Sequence, residues 1–465
     1  MRRLMSGTSP HSDEARLVGD QPLSFDLEQT NGVTSTSGSD HTPQSRWWDA
    51  TFHTVTAVVG VGVLSLPYAF SYLTWTGGLV ALGVTTATSL YTGWQLASLH
   101  EDKDGRRHNR YRDLGRAIFG ERWGVWAIAP FQWSVLIGLA ITYTATAGQS
   151  LQAVHSSTCN NAVYEAVGAA RSDRNCSSGL VWWTVVFSFF ELFLSQIPDF
   201  HSLWWVSLLG AAMSAMYSTI AFAASVAAGT QGASYELRRE SKALQIFGAF
   251  NALGTVMFAF GGHAILLEVQ ATMQMPPSPL LSMMRGLCSA YGVVLIAYFP
   301  VASAGYAAFG NVVSPDVLLS VRRPEWLISL ANFMVVVHLA ASFQVFAQPI
   351  FETAEGWIRS GKYRLANRPT LMRVLVRCSY VALTCFAAIL IPFFGDLMGL
   401  VGSIGLMPLT FLIPPALWIK AREPRGVELW LNIALMGTYG VAGVLAAIGS
   451  IHNIVLHANE YHALS

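Results

Sequence analysis

From about residue 45 onward, long apolar runs alternate with short polar connections. A helix of about twenty apolar residues crosses the roughly 30 Å hydrocarbon core of a bilayer. On that measure eleven spans are predicted: 47–73, 77–100, 124–155, 180–197, 202–228, 246–272, 286–309, 325–355, 372–393, 397–419 and 427–456. Two of them are interrupted. The first, from Trp47 to Tyr72, carries Gly60, Gly62 and Pro67 near its middle, where helical hydrogen bonding is weakened or removed. Lipid cannot satisfy a broken backbone, so something else must face it. The sixth reads FAFGGHAILLEVQAT from Phe258, with Gly261, Gly262 and His263 as the interruption. Five crossings separate the two, so they run in opposite directions. That order fits an inverted repeat of 47–228 against 246–419, with 427–456 outside it. Paired interruptions of this kind point to a midplane binding site in a secondary transporter.

The fold class predicted is therefore an all-α integral membrane protein over residues 45–456. Residues 1–44 are rich in Ser, Thr, Gly and Asp and read as a disordered tail; 457–465 form a short tail at the other end. Composition agrees, with 12% charged and 52% hydrophobic residues, against roughly a quarter charged in soluble proteins. A net charge of +1 gives no global support for nucleic-acid binding. No cleavable signal peptide stands at Met1, and no nucleophile elbow, phosphate loop or zinc signature is present. An enzyme is not indicated, nor is a cofactor. His452, His457 and His462 recur every five residues, which does not align on one helix face, so no metal site is read there.

Basic residues in short connections set the orientation. Lys103, Arg106, Arg107, Arg110, Arg112, Arg116 and Arg122 lie between spans two and three; Arg359, Lys362, Arg364, Arg368 and Arg373 follow span eight; Lys420, Arg422 and Arg425 follow span ten. All three groups fall on one side, read as cytoplasmic. The N-terminus is then cytoplasmic and the C-terminus external. The connection 156–179 lies outside, where a disulfide between Cys159 and Cys176 can persist. Asn175 formally opens a glycosylation sequon in the same loop.

An interrupted helix offers free amides where one half begins and free carbonyls where the other ends. An amino acid zwitterion needs both. The amides running from Gly60, Val61 and Gly62 into Val63, Leu64 and Ser65 are read as the carboxylate site, and the carbonyls of Phe258, Ala259, Phe260 and Gly261 as acceptors for the ammonium. Tyr143, Phe260 and Trp133 are aromatic candidates to cover a substrate. Ionisable groups within spans are costly and mark function. His53, His263, Glu268 and His338 are the candidates to carry a coupling proton, although each has a packing or ion-pair role open to it. Asp199 and His201 read as a helix cap.

Several stretches, in order, resemble the amino acid/auxin permease family: RWWDATFHTVTAVVGVGVLSLPYAF, NRYRDLGRAIFGERWG, AFGGHAILLEVQATM, AYFPVASAGYAAFGN, PEWLISLANFMVVVHLAASFQVFAQPIFE and VRCSYVALTCFAAILIPFFGDLMGLVG. The resemblance is strongest to its lysine-histidine-transporter-like branch in plants and runs from about residue 46 to the end of span eleven. It implies proton-coupled amino acid import through an eleven-span, leucine-transporter-type fold. It places the GVGVLSLPYAF element on Gly60 to Phe70 and the G-H-x-x-x-L-E-x-Q-A-T element on Gly262 to Thr272. Asp396 follows PFFG where a glycine is more usual in that family, a departure that bears on external gating. The expectation is a proton/amino acid symporter of the plasma membrane, working by alternating access with amino acid and bilayer as its partners. No obligatory protein partner is evident. The alternatives are an auxin or other organic-anion carrier of the same fold, and a membrane amino acid receptor that binds without transport.

Overall fold

The computed structural model describes residues 46–102, 105–167, 179–197, 204–230, 232–236, 238, 241–273, 276–321, 323–361 and 367–460. The N-terminal tail, Asn175, Cys176, Asp199, His201 and His462 lie outside the described residues. The described chain is helical. In order come α1 (Trp47–Val58), α2 (Gly62–Ser98), α3 (Tyr111–Phe119), α4 (Glu121–Val167), α5 (Leu180–Leu194), α6 (Trp204–Ala228) and α7 (Lys242–Phe258). A 3₁₀ turn (Gly262–Ile265) leads into α8 (Leu266–Ala271), followed by α9 (Pro279–Phe309), α10 (Glu325–Ser360), α11 (Pro369–Leu390) and α12 (Phe394–Val401). Two π-helical turns (Gly402–Leu406 and Pro408–Leu412) then lead into α13 (Ile413–Arg422), and α14 (Val427–Glu460) closes the chain. By length and composition eight helical stretches suffice to cross a membrane, and the α1–α2 pair, bent by 48° at its break, makes a ninth among the described residues.

The 37 residues of α2 are not one rod. Thr74 adopts φ 62°, ψ 177°, an uncommon conformation for a β-branched residue. A Cβ placed on Gly78 would stand 2.5 Å from the Phe70 ring. Eight residues of continuous helix would separate those positions by about 12 Å, so the chain turns back on itself at Thr74.

Other boundaries differ from the sequence expectation. α4 continues a dozen residues past position 155, because no glycine or proline interrupts SSTCNNAVYEAV and its Ala and Glu extend a helix already nucleated. The basic connection after α2 contains a helix of its own, α3, which buries Tyr111 and Leu114 and donates the Tyr111 hydroxyl to the Leu409 carbonyl at 2.8 Å.

Burial identifies the centre. In the stretch Lys242–Ala271, 89% of the most apolar window is buried, and 83% in Phe394–Arg422, against 22% in both α11 and α14. The sixth predicted span is thus the axis of the bundle, and outer faces carrying residues such as Ile296, Leu383 and Phe386 are apolar and exposed, as lipid requires. Behind that axis, α7 and α12 cross at backbone distance. A Cβ on Gly254 would come 2.4 Å from the Gly399 oxygen, and one on Gly402 would come 2.1 Å from the Gly254 oxygen. Small residues at such a crossing are how membrane helices approach closely.

Candidate functional site

Both predicted interruptions are breaks. α1 stops at Val58 and α2 begins at Gly62, with Val59 at φ −81°, ψ 73° between them. α7 stops at Phe258, and helix resumes only through the 3₁₀ turn from Gly262. The breaks cross each other reciprocally. A Cβ on Gly62 would stand 3.0 Å from Ala259 Cα, and one on Gly262 would stand 2.5 Å from a Val58 methyl. The missing side chains of Gly62 and Gly262 allow that approach.

The backbone inside each break is partly self-bonded. The Gly60 amide donates to the Val58 carbonyl at 2.9 Å, Val63 to Gly60 at 3.3 Å and Leu64 to Val61 at 3.0 Å. The expected row of free amides therefore narrows: those of Val63 and Leu64 are occupied, whereas those of Val61 and Gly62 have no backbone carbonyl partner among the described residues. The Ser65 hydroxyl turns back onto the Gly62 carbonyl at 2.9 Å, tightening the start of α2. In the second break, Phe260 donates to Met257 at 3.2 Å, Gly261 to Phe258 at 3.3 Å and Gly262 to Phe260 at 3.0 Å. Gly261 packs against Leu406 of the first π-helical turn, where a Cβ would come within 2.7 Å of that side chain.

Aromatic side chains line the crossing. Phe260 is fully buried with its ring edge-on to Tyr298 at 5.4 Å. Tyr143 is 5% exposed and meets Phe346 at 6.1 Å. Tyr143, Tyr217 and Tyr298 are near enough to interact electrostatically. The buried Tyr217 hydroxyl has no hydrogen-bond partner among the described residues. Trp133 is 36% exposed on the bundle exterior and does not belong to this group.

The four proton-coupling candidates separate. His338 lies at the first break. Its Nδ1 is 2.9 Å from the Gly210 carbonyl, an acceptor only, so Nδ1 carries the hydrogen and donates. Nε2 then accepts from the Ser342 hydroxyl at 3.3 Å and stands 3.5 Å from where a Gly60 side chain would begin. His263 points elsewhere, toward α2, with Nε2 3.1 Å from Thr92 Oγ1. That hydroxyl donates to the Thr88 and Ser89 carbonyls, so His263 Nε2–H is the donor in the pair. His53 is half-buried and, with Thr56, Ile265, Val269, Ser342 and Phe346, lines a small cavity on the predicted cytoplasmic side of the breaks. Glu268 is half-buried in the electrostatic field of Arg110, Arg112, Asp113 and Glu352, away from the crossing.

Two features escaped the sequence reading, and a third was read only in part. Tyr298, of α9, donates its hydroxyl to the carbonyls at both breaks. Glu191 is fully buried in α5, accepting from Gln344 Nε2 at 2.6 Å; as a lone carboxylate in an apolar run it was visible in the sequence. Asp396, noted there as a family departure bearing on external gating, is buried and pairs with His457 at 2.5 Å while accepting from Asn251 at 3.3 Å. Cys159 is disulfide-bonded, and Cys288, Cys378 and Cys385 are free; the fifth cysteine, Cys176, is outside the described residues.

A helical membrane bundle whose two broken helices cross at its centre defines a transporter-type protein. The chain belongs to the family described as transmembrane amino acid transporter protein, whose sequence profile matches residues 43–456. It is 39% identical over 456 residues to lysine histidine transporter-like 6 of Arabidopsis thaliana, covering 96% of this chain and 99% of that one. Lysine histidine transporter-like 1 of the same plant is 38% identical, covering 90% and 91%. GABA transporter 1, also from Arabidopsis thaliana, is 30% identical, covering 96% and 99%. The crystal structure of MhsT in complex with L-phenylalanine shares the fold at a TM-score of 0.52 and 14% identity, covering 88% of this chain and all of that one. The relatives are transporters and permeases by name; the chain is a transporter and not an enzyme.

Proposed function

We propose that the protein is a proton-coupled symporter that imports amino acids across the plasma membrane by alternating access. The crossing of the two breaks is the observation that carries this reading. Val61 and Gly62 bring amides with no backbone carbonyl partner among the described residues to the positive end of one half-helix, and Val58 and Ala259 bring carbonyls to the negative ends of two others, so both charges of a zwitterion find partners from the backbone alone. Dividing α2 at Thr74 and counting the short α5 as a span gives eleven crossings. The two breaks then fall in spans one and six, as an inverted repeat of 47–228 and 246–419 requires. The N-terminus is cytoplasmic and the C-terminus external on the basic-residue pattern. The relatives' names support amino acids as the substrate class.

His338 is the favoured proton carrier, because its Nε2 is a basic nitrogen on the wall of the first break. An inside-negative potential supplies about 2.3 kcal/mol per charge per 100 mV, and one pH unit supplies about 1.36 kcal/mol. One proton thus sustains roughly several-hundred-fold accumulation. Uptake of a screened set of amino acids into vesicles of purified protein tests the reading. It is expected to follow an imposed pH step, collapse with an uncoupler and survive removal of sodium. Sodium-dependent uptake indifferent to the uncoupler defeats the proton assignment, and binding without flux defeats transport.

A further inference from the structure

The Tyr298 hydroxyl is fully buried, 2.5 Å from the Val58 carbonyl and 2.6 Å from the Ala259 carbonyl. These oxygens belong to the C-terminal ends of α1 and α7, one at each break. Both carry the negative partial charge of a helix end. The hydroxyl comes from a third helix, α9, and its ring is fixed against Phe260 at 5.4 Å. A residue on neither broken helix therefore ties the two breaks together.

A phenol has one proton and donates fully to one oxygen at a time, whereas an ammonium group has three N–H donors and satisfies both carbonyls together. On the reading above, in which the substrate's ammonium meets the carbonyls of the breaks, amino acid and Tyr298 seek the same two oxygens. We propose that Tyr298 is a positioning residue that stands in for the substrate ammonium: its hydroxyl holds the two breaks in register while the carrier returns unloaded, and yields those carbonyls when an amino acid enters.

The two halves of the transport cycle then depend on Tyr298 unequally. Without the hydroxyl, the unloaded carrier keeps two buried carbonyls that have lost a donor, a state that is costly in an apolar interior. The loaded carrier loses nothing, because the ammonium supplies the donors. Net uptake requires the unloaded return step; exchange of internal for external amino acid does not.

The test compares net uptake with counterflow exchange of one amino acid in vesicles holding wild type or Tyr298→Phe, a change that removes one oxygen and keeps the ring. The ratio of net uptake to exchange is expected to fall about tenfold, which is about 1.4 kcal/mol against the unloaded step, and the apparent KM in exchange to fall severalfold because a competitor is gone. A second readout needs no transport: in detergent, the rise in Tm produced by saturating amino acid is expected to be larger for Tyr298→Phe than for wild type. Net uptake and exchange falling together, or an unaltered ratio with an unaltered ligand-induced Tm rise, overturns the proposal while the wild type still exchanges. A wild-type protein that exchanges no amino acid overturns the underlying reading and the proposal with it.

Discussion

His338 and His263 look alike in the sequence, each a single histidine in an apolar span, yet their bonding separates them. His338 uses Nδ1–H on Gly210 and presents a basic Nε2 at the first break; His263 uses Nε2–H to fasten the second break to Thr92. Asparagine places an amide N–H near the position of Nδ1 but has no basic nitrogen. His338→Asn is therefore expected to keep the Gly210 bond and to lower pH-driven uptake at least tenfold more than counterflow exchange. Equal losses would return His338 to a packing role. His263→Ala is expected to lower both rates alike through loss of a buried hydrogen bond, about 1–3 kcal/mol, with His263→Gln restoring much of the loss by donating to Thr92. None of this was legible in the linear chain, where both histidines stood as equal candidates. Tyr298 was less legible still: nothing in AYFP distinguishes a packing tyrosine from one whose acceptors lie 240 and 39 residues away.

Among the elements, the two breaks were readable because glycine and proline act on their own backbone. Gly60, Gly62 and Pro67 weaken a helix whatever surrounds it, and the resemblance of GVGVLSLPYAF to a known family element pointed to the same place. What the chain did not disclose was how the breaks close on themselves, since the Val63–Gly60 and Leu64–Val61 bonds form only once Val59 has turned. Nor did it show that α4 outlasts its apolar stretch. The reciprocal contact of the breaks makes a graded prediction. Gly62→Ala asks Ala259 to move by a few tenths of an ångström, and is expected to raise the KM for amino acid severalfold. Gly62→Leu drives side-chain atoms into the α7 break and is expected to abolish ligand-induced thermal stabilisation, with normal insertion and a monodisperse gel-filtration profile. Gly83→Leu, beyond the turn at Thr74 and with no atom within 4 Å of its Cβ direction, is the control and is expected to behave as wild type. Normal affinity in Gly62→Leu would remove the backbone site from the first break.

Across the whole molecule, α4 connects the two observations that bear on sidedness. Its first residue, Glu121, adjoins the basic cluster of Arg106, Arg107, Arg110, Arg112 and Arg116, and it approaches Arg116 at 3.9 Å. Its Cys159 is disulfide-bonded. The helical rise from Glu121 to Cys159 is about 57 Å, well beyond a hydrocarbon core of roughly 30 Å, so the two ends face opposite compartments. Disulfides persist in oxidising compartments, and basic loops stay in the cytoplasm; both rules give α4 the same orientation. Replacing Cys288, Cys378 and Cys385 by serine leaves only Cys159 and Cys176 to report. On intact cells, a membrane-impermeant maleimide is expected not to label this variant until a membrane-impermeant reductant has been applied, and to label it readily afterwards. Labelling that appears only after permeabilisation would put Cys159 inside. The basic loops would then face outward, against the positive-inside pattern, and the assignment of the cavity beside His53 to the cytoplasmic side would be reversed.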